Sequence, residues 1–156
     1  MAFPRFNHME LTLPLGSLDE GGVRNDIKRF YGEVFGFEAL DVEIVKQNAL
    51  LLRTDPETSQ FILMTQMKEP IQSPSYDHLG FLYDSRDEVD EILEKCQKYQ
   101  EQDDRVMLKL YDDIPAGEQA TVHAFYVKYI LPIYFDVQSI EYQAESAKPP
   151  RMWRYT

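Results

Sequence analysis

The stretch that decides the fold is YDHLGF, residues 76–81, because a close copy of it, FNHMEL, occupies residues 6–11. Both copies place an aromatic residue, an Asn or Asp, a histidine and an apolar residue in the same order. The chain has three histidines, and His8 and His78 are the two that lie in these copies. Their separation, 78 − 8 = 70, indicates an internal repeat of about 70 residues, each copy of which begins with a histidine.

The same order of elements follows each copy. Residues 5–13 alternate between polar and apolar side chains, which predicts a strand, and apolar residues at helical spacing predict a helix over residues 23–35. Three short apolar runs, separated by turn-forming residues at 46–48 and 55–58, then predict a meander of strands. The second copy predicts a strand from His78, an amphipathic helix over residues 85–100 and three more strands. The predicted fold is therefore α+β, with two βαβββ modules.

These elements set the expected domain organisation. We expect a single domain, residues 1–156, made of module one (5–67), a linker with two prolines (68–75), module two (76–143) and a tail (144–156). Neither four-stranded sheet can bury both of its faces alone, so we expect helices outside and the other sheet faces curving round a shared concave interior. The tail holds the only tryptophan and two arginines, and is either a disordered end or an arm that docks on a partner subunit.

Charge and composition exclude several classes of partner. The formal net charge of −11 argues against nucleic acid and anionic membranes, which both require clustered basic side chains. Cys96 is the only cysteine, so no disulfide can form within the chain, and its place in a helical pattern favours a structural thiol. No apolar run has the length of a signal peptide core or of a membrane span, and we expect a cytoplasmic protein.

Strand pleating predicts where the two repeated histidines point. On the first strand Met9, Leu11 and Leu13 form the apolar set that suits a helix, so His8 should project to the opposite side. Leu79 and Phe81 do the same for the later strand and turn His78 inward. Both imidazoles should therefore face the concave interior.

Glu141 completes a candidate metal site. It lies between Ile140 and Tyr142, and we expect it to point inward, where an acid requires a partner, a proton or a cation. Two neutral histidines and one carboxylate form the facial triad of non-heme Fe(II) oxygenases. The alternative is that each histidine is simply hydrogen-bonded on a strand face and that Glu141 is solvated.

Five stretches carry a resemblance to a known family: FNHMELTL (6–13), FYGEVFGFE (30–38), DHLGF (77–81), HAFYV (123–127) and SIEY (139–142). Over residues 6–143 the chain resembles the vicinal oxygen chelate superfamily of glyoxalases, bleomycin-resistance proteins and extradiol dioxygenases. The resemblance implies paired βαβββ modules round the site, a homodimer, and His8, His78 and Glu141 as ligands of a divalent metal. Fe(II) is favoured, with Mn(II) or another divalent ion as alternatives.

Within the superfamily the chain looks closest to short extradiol dioxygenases, which open a catechol-type ring. This resemblance implies a small aromatic substrate, with His123 and either Tyr126 or Tyr129 moving protons. Two features depart from the pattern: residues 55–60 lack the histidine that such enzymes carry there, and the Asp-Pro-x-Gly turn before the final glutamate is absent.

Two other activities of the superfamily stay open. A lyase or isomerase of the glyoxalase type needs a fourth polar ligand, and the matching stretch FILM, residues 61–64, is apolar. A protein of the bleomycin-resistance type would hold a ligand without metal or chemistry in a cavity lined by aromatics, and the chain has ten tyrosines and nine phenylalanines.

Overall fold

The structure, a computed structural model, describes residues 6–57 and 59–149. The described chain divides into two compact units. The first runs as far as Pro74 and also includes Ile130–Pro132, and the second runs from Ser75 to Tyr129 and continues from Ile133. Residues 150–156, most of the segment considered as a docking arm, lie outside the described residues.

The first unit has the predicted βαβββ order. Its sheet has the strand order β1-β4-β3-β2, in which β1 runs parallel to β4 and the other neighbours are antiparallel. The short segment 130–132 joins this unit, where the backbone N–H of Ser73 donates to the carbonyl of Pro132 at 3.1 Å. The elements are β1 (His8–Pro14), α1 (Arg24–Phe35), β2 (Glu38–Ile44), β3 (Gln47–Arg53) and β4 (Phe61–Met67).

The helix of the first unit forms where the apolar spacing predicts it. One stripe of α1 is buried, and the helix ends at Gly36, whose φ of 71° suits a glycine. Leu11 and Leu13 on β1 are buried as predicted, which leaves His8 on the opposite side of the strand. The buried residues of α1 are Ile27, Phe30, Tyr31 and Val34.

The second unit repeats this order with one addition. Its sheet has the strand order β5-β9-β8-β6, with β5 parallel to β9, and an extra short strand, β7, pairs with β8. We did not predict β7, because its three residues include Pro115 and show no usable alternation. The elements are β5 (His78–Leu82), α2 (Arg86–Gln100), β6 (Met107–Leu110), β7 (Ile114–Ala116), β8 (Ala120–Lys128) and β9 (Tyr134–Tyr142).

The longer helix, α2, begins at a capping box and packs on one face of this sheet. The Ser85 side chain accepts the N–H of Glu88, and the Glu88 side chain accepts the N–H of Ser85. α2 contacts β8 and β9, and its buried side chains include Cys96, where burial raises the thiol pKa to about 12 and keeps it inert. The buried apolar residues of β8 and β9 on the helix-bearing face are Phe125, Val127, Phe135 and Val137.

Alternation along the strands defines a second face of this sheet, which we call the distal face because it is opposite α2. It carries the residues whose parity is opposite to the buried set, among them His78, Tyr126 and Asp136. Neither helix of the described chain is both long and apolar enough to span a bilayer.

Candidate functional site

His78, the first residue of β5, lies on the distal face, and a hydrogen bond holds one of its ring nitrogens. Its Nδ1 donates to the backbone carbonyl of Tyr76 at 2.8 Å. A carbonyl can only accept, so the neutral ring carries its lone pair on Nε2, as in many metal-binding histidines. Nε2 lies 3.6 Å from Oδ2 of Asp136. A histidine nitrogen and a carboxylate oxygen therefore point at a common place.

Asp136 is the carboxylate of this site. It lies on β9, in register with Gly80 on β5 and Tyr126 on β8, and only 6% of its surface is exposed. Its Oδ1 is buried and has no hydrogen-bond partner among the described residues. Burial raises the pKa of the Asp136 carboxyl, and the nearby His78 opposes this only in part. Such an acid calls for a proton or a cation.

Tyrosine rings continue the distal face beyond His78. The ring of Tyr126 lies 4.7 Å from that of His78, 5.1 Å from that of Tyr111 and 6.3 Å from that of Tyr134, between centroids. Burial raises the pKa of the Tyr126 hydroxyl, and the charge of Asp136 adds to this effect. This hydroxyl therefore keeps its proton at neutral pH, as an ordinary tyrosine does, and can donate it in a hydrogen bond.

Gly80 keeps the neighbourhood of Asp136 free of a further side chain. It is the β5 residue directly across from Asp136. A Cβ at this position would lie 3.3 Å from Nε2 of Gln138, which is closer than ordinary packing allows.

Glu141, the predicted carboxylate, lies on the other face. It shares its parity with Phe135 and Val137, which pack under α2, and it receives two hydrogen bonds from Arg86 at the start of that helix, at 3.1 and 3.0 Å. The expectation that Glu141 points the same way as His78 is therefore wrong. Alternate residues of β9 point to opposite faces, and Glu141 falls on the same face as Phe135 and Val137, the helix side. Its bonds to Arg86 lower the pKa of the Glu141 carboxyl.

His123 also lies on the helix-bearing face, apart from His78. Its Nε2 is 2.9 Å from Asp90, and its Nδ1 is 3.0 Å from Asp113 and 2.8 Å from Arg86. Arg86 also makes paired hydrogen bonds to Asp113 at 3.0 and 2.7 Å, and with His123 it lowers the pKa of the Asp113 carboxyl to about 2. His123 is thus part of a network of charged groups rather than a neighbour of His78.

Tyr129 has a structural environment. It is buried, and its hydroxyl donates to Asp103 at 2.8 Å and accepts from Arg105 at 3.1 Å. Of the three residues predicted to move protons, only Tyr126 lies on the distal face with His78.

His8 lies in the first unit, at the start of β1 and on the side away from α1. Its ring stacks on Phe61 with centroids 4.8 Å apart and planes 2° from parallel. Its Nδ1 donates to Oδ1 of Asn7 at 2.9 Å, which leaves Nε2 as the lone-pair nitrogen of the neutral ring. Within either unit of the described chain, no three His, Cys, Asp or Glu side chains form a ligand set by themselves.

Asp136 is the site residue that our sequence reasoning missed. It stands alone in the apolar run IYFDV, residues 133–137, where an acid is conspicuous. The parity of Phe135 and Val137 would have placed it opposite the helix, on the side predicted for His78.

Solved structures share this fold at low sequence identity. A mutant of the fosfomycin resistance protein FosX from Listeria monocytogenes, complexed with Mn(II) and 1S,2S-dihydroxypropylphosphonic acid, has a TM-score of 0.58 and 15% identity, covering 87% of this chain and 92% of its own. A glyoxalase family protein from Bacillus anthracis has a TM-score of 0.60 and 15% identity, covering 90% and 98%. An integron cassette protein from V. cholerae has a TM-score of 0.55 and 15% identity, covering 89% and 97%.

A comparison of the sequence with protein-family models identifies the family of the chain. No curated protein matches the chain significantly. The model for the Glyoxalase/Bleomycin resistance protein/Dioxygenase superfamily matches residues 25–112, which is more than half of the chain and includes all but the first residue of α1, together with β5 and α2. Together with the two βαβββ units, this match means that the chain belongs to the Glyoxalase/Bleomycin resistance protein/Dioxygenase superfamily.

Proposed function

We propose that the protein is a divalent-metal-dependent enzyme that acts on a small molecule with two neighbouring oxygen atoms, and that His78 and Asp136 supply metal ligands. The observation that carries the proposal is the buried Oδ1 of Asp136, which has no partner among the described residues and lies on the carboxylate that approaches Nε2 of His78. A cation between these two groups would offset the cost of burying the carboxylate.

The donor set fits such an ion. One imidazole nitrogen and one carboxylate oxygen suit Fe(II), Mn(II), Zn(II) and similar ions, and the hydrogen bond from His78 to Tyr76 provides the outer partner that orients a ligating ring. A FosX structure contains Mn(II), which shows that this fold accommodates a divalent ion. Fe(II) remains our preferred ion for oxygen chemistry, and a ligand role for His8 remains a prediction from the resemblance.

The reaction that we propose first is oxidative cleavage of a catechol-type ring. A bound metal would polarise the substrate oxygens and lower their pKa. The rings of Tyr111, Tyr126 and Tyr134, inclined to one another, offer aromatic contacts beside His78, and the protonated Tyr126 hydroxyl would donate to a substrate oxygen.

A second candidate is proton transfer of the glyoxalase type. The raised pKa of Tyr126 favours it, because this hydroxyl keeps a proton that an isomerase or lyase could use. Oxygen uptake by the Fe(II)-loaded protein with catechol separates the two candidates. Consumption of O2 supports ring cleavage, and a fully Fe(II)-loaded protein that takes up no O2 with catechol counts against it.

Metal content tests the site itself. Protein purified without a histidine tag and loaded with Mn(II) should retain about one ion per chain by elemental analysis. His78→Ala and Asp136→Asn should each abolish retention. Glu141→Gln is the matched control, because this carboxylate is bound to Arg86 on the other face, and it should retain the metal.

The same measurement decides whether Asp136 or Glu141 is the metal-binding carboxylate. Metal lost in Glu141→Gln but kept in Asp136→Asn would contradict our site and restore the set inferred from the resemblance. A wild-type protein that binds a small aromatic molecule but no metal would instead be a sequestering protein of the bleomycin-resistance type. His8→Ala, purified and loaded with Mn(II) in the same way, tests whether His8 is a metal ligand: loss of the ion would support that role.

We also propose that the protein forms a homodimer. The support on this chain is a group of exposed apolar side chains on and after the edge strand β6, namely Met107, Leu110 and Ile114.

A further inference from the structure

Two lysines share the distal face with the proposed metal ligands. Lys109 on β6 is in register with Tyr126 on β8, and Tyr126 is in register with Asp136 on β9. These residues form a row across three neighbouring strands, so Lys109 begins about 10 Å from Asp136 at the backbone. Lys128, two residues after Tyr126, has the same parity.

The ammonium groups converge on one buried ring. Nζ of Lys109 lies 4.3 Å from the centroid of Tyr134 and 4.5 Å from that of Tyr76, and Nζ of Lys128 lies 5.6 Å from that of Tyr134. Tyr134 is only 5% exposed, so the ring is fixed by packing. Lys109 also donates to the carbonyl of Ser75, which holds its side chain in place.

Both charges lack a carboxylate partner. Among the described residues, no acidic oxygen lies within ion-pair distance of Lys109 or Lys128, although acidic side chains outnumber basic ones by 27 to 16 in this chain. The Lys109 ammonium has three donors and uses one on Ser75. Two N–H donors of the Lys109 ammonium therefore remain for a ligand.

We propose that Lys109, Lys128 and Tyr134 form a subsite for an oxyanion of the substrate. The inference rests on the proposed function and specifies its substrate class: a small molecule that offers two chelating oxygens at the His78 and Asp136 end and a carboxylate or phosphate-type group at the lysine end. The ring of Tyr126 lies 4.7 Å from that of His78 and 6.3 Å from that of Tyr134, so it would contact a molecule that reaches both groups. Cation–π contact holds the ammonium groups without neutralising them.

Three hydroxamates test the subsite. All three chelate a divalent metal through the same two oxygens, but acetohydroxamate has no anionic group, succinohydroxamate adds a carboxylate and phosphonoacetohydroxamate adds a phosphonate. With Mn(II)-loaded protein, measured by calorimetry, we expect at least one anionic probe to bind about tenfold more tightly than acetohydroxamate. The better of the two identifies the oxyanion.

Lysine variants locate the effect. Lys128→Met should remove the advantage of the anionic probe and leave the affinity for acetohydroxamate unchanged, and Lys109→Met should do the same if it folds normally. Lys98→Met is the matched control, since Lys98 pairs with Glu94 on the surface of α2. Equal affinities for all three probes, or an advantage that persists in Lys128→Met, would overturn the proposal.

A metal-free titration separates this proposal from the proposed function. Millimolar inorganic phosphate or acetate should shift the backbone amide resonances of Lys128 and Tyr134 in wild-type protein and not in Lys128→Met. If these shifts occur but the Mn(II)-loaded protein retains no metal, the subsite is supported and the metal site is rejected. Metal retention without these shifts and without an anionic advantage would reject the subsite alone.

Discussion

At the scale of single residues, Asp136 is the group with the most unusual surroundings. Its carboxyl has a raised pKa because it is buried, and its Oδ1 has no partner among the described residues. An acid whose folded pKa is raised favours its neutral form, so ionisation costs stability as the pH rises from its ordinary value of 3.8 through the raised value. Ionisation of Asp136 in metal-free protein therefore lowers the free energy of unfolding.

This environment predicts opposite effects of one substitution. Asp136→Asn should raise the free energy of unfolding of metal-free protein at pH 7 by about 1 kcal/mol, measured by urea denaturation, while it abolishes metal retention. At pH 3, where wild-type Asp136 is also neutral, the two proteins should differ less. A variant that is less stable than the wild type at pH 7 would show that Asp136 has a structural role instead.

Parity explains which site residues the sequence could predict. His8 and His78 lie opposite their helices as predicted, because the alternating apolar residues that follow each histidine, Leu11 and Leu13 or Leu79 and Phe81, take the helix side. Glu141 was oriented wrongly because we used only Ile140 and Tyr142 near the strand end. Phe135 and Val137 in the strand centre carry the stronger signal, since they lie under α2.

At the scale of elements, the start of α2 is tied to the sheet by charged groups. Arg86 binds Asp113 and Glu141, and His123 lies between Asp90 on α2 and Asp113. Partial burial by itself lowers the pKa of His123, but its hydrogen bonds to the two aspartates outweigh this and Arg86, so the pKa lies above 6.5. When protonated, Nδ1 donates to Asp113; when neutral, it can accept from Arg86.

The network predicts a pH dependence of stability. A histidine whose folded pKa is raised contributes stability below its unfolded pKa, near 6.5, and loses that contribution as the pH rises through the folded value. The urea midpoint of the wild type should therefore fall between pH 6 and pH 8.5. His123→Asn should flatten this part of the profile, and His8→Asn, the control in the other unit, should leave the fall intact. A fall that persists in His123→Asn would assign it to another group.

The elements themselves were largely predictable. Both helices and eight of the nine strands of the described chain follow from helical spacing, from alternation, or from short apolar runs bounded by turn-forming residues. The missing strand, β7, is three residues long with a central proline, and its pairing to β8 depends on tertiary contacts that no local pattern records.

At the scale of the whole molecule, the exposed edge of the second sheet predicts self-association. β6 is an end strand of the main sheet order, and Leu110 at its end is 59% exposed. Sedimentation velocity should give a dimer for the wild type, and Leu110→Lys should shift it towards monomer, since the new charge opposes burial of the edge. Val45→Lys, in an exposed turn of the first unit, should remain dimeric. A wild type that sediments as a monomer, or a Leu110→Lys dimer, would contradict this use of the edge.

The three residues 130–132 make the halves of the polypeptide dependent on each other. They connect two strands of the second sheet, yet they belong to the first unit, where Leu131 is completely buried. A first half expressed alone, ending at the linker 68–75, would therefore lack residues 130–132, and a second half expressed alone would expose Leu131. The two halves therefore cannot be separated at residues 68–75 without removing residues 130–132 from the first unit.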